Sequence, residues 1–297
     1  ILIVIVTHLI MGYGYIFKGI TFAYLRGQKG PGINEHHLFY NYELQNPRPK
    51  LWNDISPNKS LSANDITFLD SIQTASFLVI KNGEIVHESY YNGFNDTTPT
   101  NSFSAVKSMV SLCIGIAIDE GYIGSVDQKV AEFLPEFKKI ELAEVTIRHL
   151  LTMSSGLSWS ESGNNPYSNN AAAYYGSDLR KLVTSQRLVS ESGKVFDYKS
   201  GDTQLLSYIV EEATGQSLGD YFYDKIWSKI DIEHKGYWNL DKKDGDEKGF
   251  CCLYATPRDY AKLAQLVLNN GQWNGVQIIS KEYLNKCLFP AKEITEK

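Results

Sequence analysis

Two short runs of apolar and β-favouring residues, Ser76-Phe77-Leu78-Val79-Ile80-Lys81 and Glu84-Ile85-Val86-His87-Glu88-Ser89-Tyr90, are separated only by Asn82-Gly83. Asn-Gly tolerates the positive φ angles of a tight two-residue turn, so these runs predict a hairpin that starts an antiparallel sheet. From Ser104 to Glu120 the pattern changes to a helical one. Val106, Met109, Val110, Leu112, Cys113, Ile114, Ile116, Ala117 and Ile118 cover nearly the whole circumference, and Gly121 ends the run. A helix apolar on all sides belongs in the middle of a large fold. Further helices are signalled by their caps: Thr146 to Ser154, Asp202 to Gly215, Ser217 through Trp227, and Thr256-Pro257 to Asn270-Gly271, where Thr is the N-cap and Pro takes the first helical position. A turn at Trp273-Asn274-Gly275-Val276 leads into one last helix. The middle of the chain therefore reads as mostly helical, and no repeat with a period of 20 to 50 residues is present.

The opening run, Ile1 to Phe17, is uncharged if His8 is neutral, and Lys18, Arg26 and Lys29 follow it. A run of this length suits a signal core or a short membrane anchor, and no A-x-A-like cleavage site follows. Residues 1–30 are accordingly expected to be a hydrophobic anchor or signal segment with a basic flank, favouring an uncleaved anchor. The body would then lie outside the cytoplasm, membrane-anchored or secreted, and in the periplasm of a bacterium. Residues 31–63, with Gly30-Pro31-Gly32 at their start and Asn46-Pro47-Arg48-Pro49 within, read as a linker and lead-in. Residues 64–297 form the folded body, with a helical lobe over about 122–245.

Composition narrows the function. Among 297 residues, Lys+Arg 29 against Asp+Glu 34 give a formal charge of −5, which leaves no basic excess for a phosphate backbone, so nucleic acid is not an expected partner. Cys113, Cys251, Cys252 and Cys287 form no CxxC pair, and the adjacent Cys251 and Cys252 would need a strained ring to bond each other. The six histidines contain no HExxH helix, so a metal hydrolase is not expected; no cofactor is expected either.

The candidate chemistry lies at Ser104-Ala105-Val106-Lys107. Positions i and i+3 share a helix face, so the Lys107 amine can reach the Ser104 hydroxyl. A serine hydroxyl is a poor nucleophile until a base takes its proton, and a lysine serves as that base only if burial or nearby positive charge lowers its pKa. The surrounding apolar helix supplies burial, and its N-terminal dipole favours the oxyanion formed when a carbonyl is attacked. Ninety-four residues on, Tyr198 stands on a turn just ahead of a capped helix, placed to share a proton with the lysine.

Taken in order, Ser104-Ala105-Val106-Lys107, Thr146-Ile147-Arg148-His149-Leu150-Leu151-Thr152-Met153-Ser154-Ser155-Gly156-Leu157, Tyr198-Lys199-Ser200-Gly201-Asp202 and Ala255-Thr256-Pro257-Arg258-Asp259 resemble the serine β-lactamase and penicillin-binding superfamily. They resemble most the class C β-lactamase-related serine hydrolases, a branch that includes 6-aminohexanoate-dimer hydrolases, esterases and D-aminopeptidases. The resemblance covers about residues 70 to 290. It implies a mixed α/β (α+β) fold of the β-lactamase/transpeptidase type, an antiparallel sheet flanked by helices plus a mostly helical lobe. It also implies Ser104 as the acylated nucleophile, Lys107 as its proton partner and Tyr198 as general base and acid. Ser200 occupies the place of Asn in Tyr-x-Asn, which points to the esterase and aminohexanoate-hydrolase side and to a substrate-binding role, and Trp159 is a second candidate for lining the cleft.

The superfamily's third motif, Lys-Thr-Gly or His-x-Gly after the Ala-Thr-x-Arg-Asp helix, has no match. His234-Lys235-Gly236 has the letters but precedes that helix, and reads as a surface-loop decoy. The chain is therefore expected to be a fragment of a longer protein or one that has lost part of its site. The expected activity is hydrolysis of an amide or ester through a Ser104 acyl-enzyme, with a small-molecule or peptide substrate and no metal. The competing reading is a degenerate penicillin-recognising protein that binds cell-wall peptides or a partner without turnover.

Overall fold

The computed structural model describes residues 2–52, 60–291 and 294–296. Where the sequence predicts one anchor segment, the described residues form two short helices, α1 (Leu2–Ile10) and α2 (Tyr15–Phe22). The break falls at Met11-Gly12-Tyr13-Gly14, where Gly12 turns the chain with φ +80°. α2 is docked on the body: Gly19 is buried against the ring of Tyr175, and Lys18 Nζ lies 5.1 Å from the centre of the Phe39 ring. No helix among the described residues is long and apolar enough to cross a membrane.

The lead-in over 31–63 is more than a linker. It supplies β1 (Asn41–Leu44), and Ser62 opens α3 (Ala63–Ser71) with a reciprocal cap to Asp65. Residues 53–59 lie outside the described residues. The predicted hairpin follows as β2 (Ser76–Lys81) and β3 (Glu84–Tyr90), paired antiparallel with Lys81 opposite Glu84. Asn82 and Gly83 have φ of 56° and 82°, the mirror-image turn that matches strand twist. Next come β4 (Thr100–Asn101) and the central helix α4 (Val106–Asp119).

The helical lobe contains α5 (Ile147–Leu151), α6 (Asn169–Tyr175), α7 (Leu179–Thr184), the short β5 (Val195–Phe196), α8 (Ser200–Thr214) and α9 (Leu218–Lys225). The chain then returns to the sheet as β6 (Gly236–Asn239) and β7 (Leu253–Ala255), and continues as α10 (Pro257–Leu268), the hairpin β8 (Gln272–Trp273) and β9 (Val276–Gln277), and α11 (Lys281–Cys287). The principal sheet is antiparallel in the order β1-β6-β7-β4, so the lead-in strand forms one edge, paired through Tyr42 opposite Trp238.

α4 is the core of the fold, as its all-round apolar pattern requires. Val106, Val110 and Leu112 to Ala117 are buried, and the helix packs against α8, α9 and α11. Gly115 is the contact point with α11: a Cβ there would lie 2.4 Å from the Tyr283 ring, whose hydroxyl donates to the Ser111 carbonyl at 2.9 Å. α10 joins the β2–β3 hairpin to the rest of the molecule, because Arg258 grips Glu88 through Nε at 2.8 Å and Nη2 at 2.6 Å.

Three local expectations are corrected. Asp202 does not cap α8; Lys199 holds the N-cap position, and Asp202 is buried in the first turn, where it accepts the Ser155 hydroxyl at 2.8 Å. His234-Lys235-Gly236 is not a loop decoy but the entry to β6, because buried Asp259 accepts the amides of Glu233 and His234 at 2.7 and 3.1 Å. Cys251 and Cys252 are joined to each other, with Cys252 in the left-handed region at φ +74°.

Candidate active site

The site is built where β4 hands over to α4. Phe103, immediately before Ser104, has φ +43°, a costly backbone for an aromatic residue. It is held there by Asn101, whose Oδ1 accepts the Phe103 amide at 2.8 Å while its Nδ2 donates to the Tyr254 hydroxyl at 3.1 Å. The Ser102 amide is fixed as well, donating to the Leu253 carbonyl at 2.8 Å. This elbow leaves Ser104 exposed just ahead of a helix that is otherwise mostly buried.

Lys107 sits one turn further on. Its Nζ lies 3.1 Å from Ser104 Oγ and donates to the Phe250 carbonyl at 2.7 Å. The Phe250 carbonyl directly precedes the Cys251–Cys252 pair, so the turn leading into β7 supplies a fixed acceptor for the amine. Burial pushes the Lys107 ammonium down to about 8, against an opposing influence from Glu161. A neutral lysine is therefore accessible near neutral pH, which an ordinary solvated lysine does not allow.

Tyr198 comes to the same place from the far side of the lobe. Lys107 Nζ is 5.1 Å from the centre of its ring, and Ser104 is near enough to act on its phenol. Burial raises the Tyr198 phenol above its usual value, the nearby Ser104 opposes the rise, and Glu161 adds to it. The turn bearing Tyr198 is anchored from both sides: the Asp197 amide donates to the Met153 carbonyl at 2.8 Å, and buried Lys199 pairs with the Asp197 carboxylate at 2.7 Å. Gly156 makes the neighbouring Ser-Gly-Leu turn possible, since it has φ +73° and a Cβ would fall 2.2 Å from the Ser190 carbonyl oxygen.

Ser200 and Trp159, the expected substrate contacts, lie beside this cluster and both bond to Glu161. Ser200 is 2% exposed and its hydroxyl donates to Glu161 Oε1 at 2.6 Å, so its proton is committed within the protein. Trp159 donates its indole N–H to Glu161 Oε2 at 2.7 Å and lies over Gly201, where a Cβ would meet the ring at 2.6 Å. Glu161, Asn101 and the Phe250 carbonyl were not singled out from the sequence. Glu161 lies in a polar stretch without periodicity, and the roles of the other two depend on pairings with distant segments. Among the described residues, no group of three or more His, Cys, Asp or Glu side chains is gathered to hold a metal ion.

This geometry can move a proton from the serine hydroxyl to the lysine amine and relay one through the tyrosine, which is the equipment of nucleophilic acyl transfer. Comparison with known proteins gives a consistent picture. The family model described as Beta-lactamase matches residues 64–282. A 6-aminohexanoate-dimer hydrolase of Paenarthrobacter ureafaciens is 25% identical over 233 residues, covering 74% of this chain; the chain spans 58% of that relative's length. Among solved structures, a protein from Bacillus anthracis proposed to be a 6-aminohexanoate-dimer hydrolase superposes with a TM-score of 0.77 at 23% identity, covering 86% of this chain and 72% of its own. A family VIII carboxylesterase superposes with a TM-score of 0.59 at 20% identity, covering 75% of this chain and 72% of its own.

Proposed function

Because this chain belongs to the Beta-lactamase family, we propose that it is a serine hydrolase that forms an acyl-enzyme on Ser104 and cleaves an amide or ester bond. The observation that carries the proposal is the 3.1 Å approach of the Lys107 amine to the Ser104 hydroxyl in a site where burial keeps the lysine pKa low. Two similar proteins, one named a 6-aminohexanoate-dimer hydrolase and one a carboxylesterase, support a hydrolase without deciding between amide and ester.

In this reading Ser104 Oγ attacks the carbonyl carbon and its proton passes to the Lys107 amine. Of the two candidate bases, Lys107 is the more available at neutral pH, because burial lowers its pKa while it raises that of Tyr198. Tyr198, next to Lys107, then passes its proton to the leaving nitrogen or oxygen as the tetrahedral adduct collapses, and takes back from Lys107 the proton that came from Ser104. Water attacks the resulting ester on Ser104, the acyl C–O bond breaks, and the serine regains its hydrogen. The helix dipole at the start of α4 favours the oxyanion in both steps.

The test is the intact mass of the folded chain after exposure to a fluorophosphonate, with Ser104→Ala as control. A single adduct that is absent in the variant supports an activated serine, and a panel of esters, linear amides and penicillins then ranks the acyl donors. No adduct on the folded protein overturns the proposal in favour of a binding protein without turnover.

A further inference from the structure

The residue that touches both expected substrate contacts is one the sequence did not mark. Glu161 lies on an irregular segment after the Ser-Gly-Leu turn, yet its carboxylate receives three hydrogen bonds: Trp159 Nε1 at 2.7 Å and the Ser200 amide at 2.8 Å on Oε2, and the Ser200 hydroxyl at 2.6 Å on Oε1. The Ser200 amide is among the first N–H groups of α8, which have no partner within the helix. Lys199, at the N-cap position, makes no side-chain cap. Glu161 therefore caps α8 from 39 residues away, with its charge at the favourable end of the helix dipole.

We propose that Glu161 is the positioning residue of this site: its carboxylate locks the segment bearing Trp159 onto the turn bearing Tyr198 and Ser200, and fixes a negative charge beside the Ser104, Lys107 and Tyr198 cluster. Tyr198 lies two residues ahead of α8, so the direction of its phenol follows from how the first turn of that helix is held. Trp159 completes the seam by covering Gly201, where no side chain fits beneath the ring. The charge acts on Lys107 from α4 and on Tyr198 from the turn, in both cases favouring the protonated form. Nearby, Lys199 is paired with Asp197 at 2.7 Å and also acts on buried Asp202. Its influence on the labelling rate presupposes Ser104 as the nucleophile; its influence on Lys107 does not.

Two substitutions separate clamp from charge. Glu161→Gln keeps an oxygen for Trp159 Nε1 and the Ser200 amide and turns an amide N–H toward Ser200 Oγ, so the clamp survives without the charge. Glu161→Ala removes both. The readouts are the titration of Lys107 followed by 13C NMR of its ε-carbon, assigned with Lys107→Arg, and the pH profile of fluorophosphonate labelling.

In Glu161→Gln the Lys107 midpoint falls below that of the parent chain, and the labelling profile moves to lower pH with its plateau rate retained. In Glu161→Ala the plateau rate drops by roughly ten- to a hundredfold, the scale of a misplaced reacting group. An unchanged Lys107 midpoint in Glu161→Gln, or parent-like labelling by Glu161→Ala, overturns the proposal. If Glu161→Ala does not fold, the Glu161→Gln midpoint decides alone. An absent adduct on the parent chain defeats the hydrolase reading only, and the Lys107 titration then decides for or against Glu161 by itself.

Discussion

Replacing Lys107 by methionine keeps most of the buried stem and removes the amine that faces both Ser104 Oγ and the Phe250 carbonyl. The size of the effect follows from the pKa. With the ammonium pushed down to about 8 from its ordinary 10.5, roughly one lysine in eleven is neutral at pH 7, against about one in three thousand for an unperturbed side chain. If that neutral amine takes the serine proton, labelling of Ser104 by a fluorophosphonate rises about tenfold between pH 7 and pH 9, with its midpoint near 8. Lys107→Met abolishes the rise and slows labelling by about 10²- to 10⁴-fold, the usual contribution of a positioned general base. The assay is the pseudo-first-order labelling rate by intact mass at a series of pH values, with far-ultraviolet circular dichroism to confirm that the variant is folded. A rate that is flat across this range, or that falls as pH rises through 8, refutes the assignment. The falling profile would mean that the lysine acts as a cation and that the proton leaves by another route.

Gly201→Ala pushes a methyl group against the Trp159 ring, which it would approach to 2.6 Å, so the variant should lose about 1–3 kcal/mol in chemical denaturation and shift the tryptophan emission. Unchanged stability would mean that the ring is free to move aside. Asn101→Ala leaves the Phe103 amide and the Tyr254 hydroxyl without the partner they share, at a cost of about 1–3 kcal/mol, and should slow Ser104 labelling by loosening the elbow; a labelling rate equal to the parent's would separate the elbow from reactivity. Asp202 is pushed up to about 7 by burial, from 3.8, so the folded state holds its proton more tightly than the unfolded chain does. Its contribution lowers stability as pH rises from 3.8 to about 7 and is constant above that. Asp202→Asn should therefore flatten the decline in the urea midpoint between pH 5 and pH 8, in part only, because Glu247 is also raised to about 7 and Glu211 to about 8. A decline as steep as the parent's would show that the Asp202 proton is not linked to folding.

The features legible in the sequence are those decided within about ten residues. The Asn82-Gly83 hairpin, the N-cap at Thr256-Pro257 and the continuous apolar surface of α4 each specify their structure from neighbouring side chains alone. The motif order likewise pointed to the β-lactamase fold that the family match establishes. The lead-in strand β1 is not legible in the sequence because four residues carry little strand signal on their own; Asn41–Leu44 becomes a strand through its pairing with β6, almost two hundred residues away. The misassigned cap of α8 has the same origin. An aspartate near a helix start is read as a cap by local rules, but Asp202 is drawn inward by Ser155 and the amide at Ser200 is taken by Glu161.

The same division runs through the candidate site. The spacing of Ser104 and Lys107 on one helix face is a property of the tetrad itself, so the sequence names the atoms that meet. The proton affinity of that lysine is set elsewhere: burial within a fold assembled from α4, α8 and the β7 approach lowers it, and a carboxylate fifty-four positions on opposes the fall. The acceptor that orients the amine, the Phe250 carbonyl, is 143 residues distant. A short motif therefore determines which groups meet, while partners remote in the chain set the proton affinity of the amine. If Ser104 and Lys107 are the reacting pair, a change at Glu161 therefore shifts the pH at which they act without altering the pair itself.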